Sequence, residues 1–246
     1  MKRREFLLLS AISPVMAKDF ITNTNNVFLN KQDMRTLIYL DNRLGRVRRY
    51  IGFGNFNFLS LDEMFYYGRN YSSIGKFTKS EKDLIEKLFF QNPQYHGFYG
   101  DRTINNITNK ISTKDIIKVP YSGHFIYRGK PYDDYNRILK DVGSDIILTS
   151  GVRNVVKQLS LYVSKIKSVN GNLSKASASI APPAFTYHAI SDFDVGKKGW
   201  GSKNFTSAFA RTDEFRKMRK LDYIDIRYTV NNKDGVRFEP WHIKVI

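Results

Sequence analysis

Cysteine is absent from the 246 residues. That excludes disulfides and a lipid-anchored N-terminal cysteine, and leaves only nitrogen and oxygen ligands for any metal. The missing thiols do not fix the redox compartment, because a chain of this length builds a core without staples. No apolar run approaches the roughly 20 residues that a membrane-spanning helix requires. There is no internal repeat, no low-complexity linker and no sharp break in composition. Histidine is scarce: of the four in the chain, two fall in the segments that carry the chemistry discussed below.

What is present fits a packed protein. Hydrophobic residues make up 41% and aromatic residues 14%, enough apolar surface to exclude global disorder. The net charge of +17 is compatible with nucleic acid or with an anionic cell envelope. The basic residues are scattered among acidic ones and no nucleic-acid recognition motif accompanies them, so nucleic acid is not the expected partner. The first residues, Met1-Lys2-Arg3-Arg4-Glu5-Phe6-Leu7-Leu8-Leu9, place a basic end before a short apolar stretch reaching Ile12. Val15-Met16-Ala17 supplies small-residue cleavage chemistry. Residues 1–17 are therefore expected to be an export signal. Arg3-Arg4 followed by Phe6-Leu7 resembles a twin-arginine signal, and a mature chain starting near Lys18 would reside in the periplasm or cell envelope.

Helical spacing of Met34, Leu37, Ile38 and Leu40 predicts a helix over 31–44. Ser60-x-x-Glu63 and Ser80-x-x-Asp83 read as capping boxes opening two more, the second helix carrying Leu84, Ile85, Leu88 and Phe89 on one face. Residues 92–109 read as loop. Short strands are expected over 116–119 and 124–127, a helix over 132–141 ending at Gly143, and a strand over 145–149. Val155, Leu159, Tyr162 and Ile166 form one stripe of a following helix. Thr212 is expected to cap a helix through Leu221, and the chain to end in a hairpin, 223–230 against 236 onward, turning at Asn232-Lys233-Asp234-Gly235. The class is α+β: a helical N-terminal region, 18–130, packed on a small, mostly antiparallel sheet within 131–246.

The chemistry-bearing residues cluster late. His188 is followed by Asp192 and Asp194, and Glu239 stands three positions before His242. Two imidazoles and a carboxylate can hold a catalytic zinc with its fourth position open, and a further carboxylate beside it can act as general base. The chain must turn back between His188 and the acid that joins it. Glu239 and His242 face opposite sides of a regular strand, and Pro240 supplies the bend that lets them converge.

These segments resemble those of a known family. His188 with Asp194-Val195-Gly196, then Glu239-Pro240-Trp241-His242, and upstream Ser150-Gly151-Val152-Arg153 with Gln158, look like the motifs of the VanY-type D-alanyl-D-alanine carboxypeptidases, zinc peptidases of bacterial peptidoglycan. The resemblance covers residues 143–246. It implies His188, Asp194 and His242 as ligands of one Zn2+, Glu239 as catalytic base, Arg153 as stabiliser of the oxyanion, and Arg153 and Gln158 as substrate-binding residues. The interval from His188 to Asp194 is one residue shorter than the family's usual one, so Asp192 is the alternative ligand; otherwise it is a turn residue or a partner behind the ligands. Thr186 and Ser191 also depart from the family pattern. Trp241 is expected to pack beside the site, and His96 and His124 to be structural. The implied activity is exported hydrolysis of peptidoglycan stem peptides by a monomer, with terminal D-Ala removal foremost. LD-carboxypeptidase or endopeptidase action, or a cell-wall binding protein without catalysis, are the alternatives.

Overall fold

The computed structural model describes residues 26–245; the expected export signal lies outside them. Asn30 opens the first helix, α1 (Lys31–Ile51), its side chain accepting from the Asp33 backbone N–H. The buried stripe of α1 is Leu37, Leu40, Leu44 and Val47. The helix outruns its expected end at residue 44 because Val47 extends the stripe by another turn past Gly45. A short turn, α2 (Phe53–Phe56), leads to α3 (Leu61–Asn70), which begins at the expected Ser60/Glu63 capping box.

Helix α4 (Lys79–Phe90) starts two residues before the expected position. Its capping box is Thr78 with Glu81, not Ser80 with Asp83: Thr78 N–H donates to Glu81 Oε2 at 2.7 Å, and Glu81 N–H donates to Thr78 Oγ1 at 3.2 Å. Buried Glu81 also takes the Arg43 guanidinium at 2.8 Å, whereas Asp83 stays exposed and pairs with Lys79. The register that forms is the one in which the helix-opening glutamate also takes a long-range ion pair.

Strands β1 (Ile116–Lys118) and β2 (Phe125–Tyr127) form a two-stranded antiparallel ribbon. Helix α5 (Lys130–Val142) ends at Gly143. Next come β3 (Ile146–Ser150), α6 (Val155–Ser168), α7 (Leu173–Ser177), β4 (Phe193–Lys197), α8 (Asp213–Met218, capped by Thr212), β5 (Asp225–Ile226) and β6 (His242–Lys244). A four-stranded antiparallel sheet has the order β3-β4-β6-β5. Helices preceding a small antiparallel sheet make the protein α+β, as expected.

The expected terminal hairpin forms at its base, and the connection between its arms is a wider excursion than the expected tight turn. Only Asp225 and Ile226 pair with β6, opposite Lys244 and Ile243. Arg227 N–H donates to His242 O at 3.1 Å and Glu239 N–H to Tyr228 O at 2.9 Å between the arms, while the connection is engaged elsewhere: Tyr99 N–H donates to Asp234 O at 2.8 Å and Arg237 N–H to Ala178 O at 2.9 Å. These bonds satisfy groups that a tight hairpin ladder would have used.

Two of the three hydrophobic clusters among the described residues are large, and the third gathers Phe89, Phe98, Val155, Phe185 and Tyr228. One of the large clusters unites α1, α3 and α4 with α6, through Val156, Leu159, Tyr162, Val163 and Ile166. Each such side chain contributes about 1.5–3 kcal/mol on full burial. The other lies between the sheet and α5 and α8, around Ile138, Leu148, Phe193, Val195, Phe215 and Ile243, and takes in Val119 and Ile126 from the β1–β2 ribbon.

Candidate metal centre

The pairing of β4 with β6 sets Asp194 directly opposite His242. Such cross-strand neighbours lie about 4.5–5.5 Å apart at Cβ. One position away on each strand, Phe193 and Ile243 point to the opposite face and join the core. His188 arrives from a turn of 3₁₀ helix (Tyr187–Ala189), after which the chain reverses into β4. Glu239 is not on a strand: Pro240 and Trp241 form a turn closed by His242 N–H donating to Glu239 O at 3.1 Å. The bend expected at Pro240 is present, and Glu239 and His242 face one site.

Gly151 explains how the upstream motif reaches this site. A Cβ there would lie 2.0 Å from the Phe125 carbonyl oxygen, so only glycine lets β2 approach. The close approach is used: Val152 N–H donates to Phe125 O at 2.7 Å, and Arg153 N–H donates to His188 O at 3.1 Å. Gly196 plays the same part behind Asp194, where a Cβ would sit 2.6 Å from the Asn204 amide carbon.

The donor atoms converge. His188 Nδ1 donates to Gly151 O at 2.8 Å, which fixes the tautomer and leaves Nε2 toward the site. That Nε2 lies 3.3 Å from Asp194 Oδ1, and His242 Nδ1 lies 3.4 Å from the same oxygen. One ligand atom from each of the three residues falls within 4.8 Å of the others. Ligands about 2.0–2.1 Å from a tetrahedral centre stand roughly 3.4 Å apart, so the spacing suits a metal ion. Two of the atoms, His188 Nε2 and Asp194 Oδ1, are buried and have no hydrogen-bond partner. Orphaned polar atoms are costly in a folded interior, and a shared cation satisfies both. Buried His188, Asp194 and His242 can therefore hold a metal ion.

A further layer of groups holds these ligands in place. His242 Nε2 contacts Asp192 Oδ2 at 3.1 Å. Asp192 receives a bidentate fork from Arg227, at 2.7 and 3.0 Å, and the Val245 N–H at 3.0 Å. Asp192 thus stands behind a ligand, orienting the imidazole, and is not itself in the group of three. The Arg227 guanidinium lies 3.8 Å from the Tyr187 ring centroid, and the Tyr187 hydroxyl is taken by Asp101.

Arg153 sits at the centre. Its Nε donates to Ser150 Oγ at 2.7 Å, and its Nη2 pairs with Asp194 Oδ2. Asp194 thus offers one oxygen to Arg153 and the other to the two histidines. Burial opposes its ionisation, but His188, Arg153 and His242 hold its carboxyl well below the usual carboxylate range. Glu239 behaves oppositely. It is buried, with Oε2 3.6 Å from His242 Nδ1 and Oε1 3.8 Å from Arg237 Nε. Burial, reinforced by the Asp194 charge, outweighs His242 and raises its pKa. Two neighbouring carboxylates pushed apart in this way divide the labour: one stays ionised, the other can exchange a proton. Burial and the Arg153 charge bring His188 down to about 4. Burial also opposes the charged form of His242, but its hydrogen bond to Asp192 and the nearby Glu239 and Asp194 carboxylates push it up to about 9.

The three ligands, with Glu239, Arg153 and Arg237, line one cavity of about 410 Å³. Gln158, expected as a substrate contact, is on its wall; its Nε2 donates to Ala181 O at 2.7 Å, and its Oε1 has no partner. Trp241 lines the cavity and also packs edge-on to Phe205, ring centroids 6.0 Å apart. His96 is structural as expected, its Nδ1 bonded to Ser177 Oγ at 2.9 Å. His124 departs from expectation: it lines the cavity, with Phe53, Lys157 and Tyr228. No local motif marks these four, because tertiary packing alone brings them there.

A buried two-histidine, one-carboxylate group with a more basic carboxylate beside it defines a metal-hydrolase type of site. The comparison with known families gives the particular one. Residues 132–246 match the model of VanY, D-alanyl-D-alanine carboxypeptidase. No curated protein matches the chain. Among solved structures it is similar to the LdcB LD-carboxypeptidase, at 19% identity over 55% of this chain and 70% of that one, with a TM-score of 0.46. It is similar also to a mutant VanY D,D-pentapeptidase in complex with Zn(II), at 21% identity over 52% and 76% of the two chains (TM-score 0.42). The D,D-dipeptidase VanXYg in complex with a D-Ala-D-Ala phosphinate analog matches at 17% identity over 61% of each chain (TM-score 0.49).

Proposed function

We propose that this protein is an exported zinc peptidase that trims peptidoglycan stem peptides, removing the terminal D-alanine from a stem ending in D-Ala-D-Ala. The observation that carries the reading is the convergence of His188 Nε2, Asp194 Oδ1 and His242 Nδ1, two of them orphaned, beside a carboxylate whose pKa burial raises. The match of residues 132–246 to the VanY model supports the substrate class.

His188, Asp194 and His242 would hold the zinc, which supplies Lewis-acid polarisation and favours hydroxide over water at neutral pH. The protein's own groups do the rest. Glu239, hidden from bulk solvent, takes a proton from the attacking water and returns it to the leaving amine. Arg153 sits beside Asp194 at the cavity, where its guanidinium faces the negative charge that grows on the carbonyl oxygen. Asp192 and Arg227 keep His242 in the orientation that presents Nδ1. Gln158 offers its unpaired Oε1 to a substrate N–H. Export by the twin-arginine-like signal, followed by removal of residues 1–17, would place this activity in the periplasm or envelope. N-terminal sequencing of that fraction should begin near Lys18.

The test offers pentapeptide, tetrapeptide and cross-linked dimer side by side, with zinc present and mass spectrometry as the readout. Loss of one alanine from pentapeptide alone is the expected result. Loss from tetrapeptide would make the enzyme an LD-carboxypeptidase, and splitting of the dimer an endopeptidase. No mass change in any substrate, with zinc bound and the chain folded, would sink the catalytic reading in favour of wall binding.

A further inference from the structure

One wall of the cavity carries a charge that the chemistry above does not use. Three side chains bring formal positive charge to the cavity lining: Arg153, Lys157 and Arg237. Arg153 is committed to Asp194 and Ser150. Arg237 bonds Phe205 O at 3.1 Å and faces Glu239. Lys157 is 7% exposed and has neither a carboxylate nor a hydrogen-bond acceptor among the described residues. Its ammonium rests against aromatic faces, 4.8 Å from the Phe53 ring centroid and 5.9 Å from that of Phe56.

A desolvated cation without a counter-ion is costly. Aromatic faces offset part of that cost but supply no hydrogen-bond acceptor in the ring plane. Burial, with the charges of Arg153 and Arg48, brings its pKa down to about 8, so the group is still mostly cationic at neutral pH. His124 stands within reach of its field: burial, then the Lys157 charge, hold the imidazole down to about 4. His124 Nδ1 is itself buried without a partner. The surrounding wall is apolar, with Leu161, Ile180 and Ala181. This is a pocket for a small alkyl group that ends in an anion.

We infer that Lys157 binds the C-terminal carboxylate of the peptide, with His124 Nδ1 beside it, and so restricts the site to chains with a free C-terminus. The inference rests on the peptidase reading for its ligand class. It assigns Lys157 to specificity, one helical turn beyond Arg153, and leaves bond cleavage to Glu239 and its neighbours. The family resemblance gives no such role to this position; the burial and the missing partner do.

The experiment measures binding, so that it does not depend on turnover. Zinc-loaded Glu239→Gln protein is titrated by calorimetry with diacetyl-lysyl-D-alanyl-D-alanine and with its C-terminal amide, in parallel with the same protein carrying Lys157→Gln or Lys157→Arg. A charge-assisted contact predicts acid binding about ten- to hundredfold tighter than amide. Lys157→Gln should bring that ratio close to one, and Lys157→Arg should restore most of it. Equal affinity for acid and amide in the Lys157 protein overturns the inference whatever the variants do. A ratio that persists in Lys157→Gln, or that is lost equally in folded Lys157→Arg, overturns it too. Acid preference through Lys157 without hydrolysis of any muropeptide by the unsubstituted protein would uphold this inference while sinking the peptidase reading. Hydrolysis without acid preference would do the reverse.

Discussion

Replacing Glu239 by glutamine separates chemistry from folding, because the structure assigns opposite signs to the two effects. The side chain is 7% exposed, and its nearest charged neighbours, His242 Nδ1 and Arg237 Nε, stand at 3.6 and 3.8 Å. Those contacts are too long to be strong hydrogen bonds. The bonds that shape the turn are from the backbone, Glu239 N–H to Tyr228 O and His242 N–H to Glu239 O, and an amide keeps them. Burial raises the Glu239 pKa in the folded chain. A carboxyl whose folded pKa lies above its unfolded value costs stability once pH exceeds both. At neutral pH, Glu239→Gln should therefore be as stable as the parent or slightly more so in a thermal melt. Its catalytic rate should fall by about a hundred- to ten-thousandfold, the usual worth of a positioned general base, equivalent to roughly 3–5 kcal/mol of barrier. Since water activation belongs to the transition state, kcat and kcat/KM should drop together. The assay is muropeptide hydrolysis read by mass spectrometry, with zinc content measured on the same sample. Near-parental turnover with zinc bound would show that another group activates the water, and the base assignment would fail.

Asp192→Asn leaves the shape but weakens the fork from Arg227 and the contact to His242 Nε2; zinc affinity should fall about ten- to hundredfold in a chelator competition. His96 is buried with its pKa brought down to about 4 from 6.5. The unfolded chain therefore takes up a proton first as pH falls, and stability present above about 6.5 is lost toward 4, by up to about 3 kcal/mol. Melting temperatures from pH 7 to 4.5 should fall more steeply in the parent than in His96→Gln, and parallel curves would refute this. Asn154→Ala strips buried acceptors at Phe58 and Asn109 of their donor and should cost about 2–4 kcal/mol in denaturant unfolding, with loss of activity beyond what the melt explains.

The parts of the site that were legible in the sequence are those written over a few consecutive residues. Ser150-Gly151-Val152-Arg153, His188 to Asp194 and Glu239 to His242 each announce themselves locally, and Pro240 announced the bend that the turn at 240–241 provides. The same holds for α6, whose stripe of Val155, Leu159, Tyr162 and Ile166 is wholly buried. The expected capping box at Ser80 and Asp83 is not the one that forms, because the choice is made at long range. Thr78/Glu81 prevailed over Ser80/Asp83 through an ion pair to Arg43, 38 positions away. The terminal hairpin forms only in part for the same reason: the backbone bonds from Tyr99 to Asp234 and from Arg237 to Ala178 draw its connection elsewhere. Arg227 behind Asp192, and Phe53, His124 and Lys157 on the cavity wall, carry no motif. Their roles come from packing between elements distant in the chain, which periodicity and spacing do not encode.

That packing also explains why the helices before residue 130 matter to a site whose motifs all lie after it. Helix α6 begins immediately after Arg153 and carries Lys157 and Gln158 on its cavity side, while Val156, Leu159 and Val163 bury against the N-terminal helices. The start of the helix is clamped from the same side: Asn154 N–H donates to Asn57 O at 2.8 Å, and its side-chain amide to Phe58 O and Asn109 O at 3.2 and 2.9 Å. Arg153 next to it is tied by backbone to His188 and by side chain to Asp194. A shift of α6 would therefore move the guanidinium relative to the three ligands, and a misplacement of about 1 Å can cost roughly a hundredfold in rate. The N-terminal helices do not touch the ligands, yet through Asn154 and α6 they set the position of Arg153, and through Phe53 they hold Lys157 in the cavity. They are part of the scaffold that makes the constellation precise: α6 is buried against them through Val156, Leu159 and Val163, and through Val155 it joins the cluster of Tyr187 and Ala189 that flanks His188.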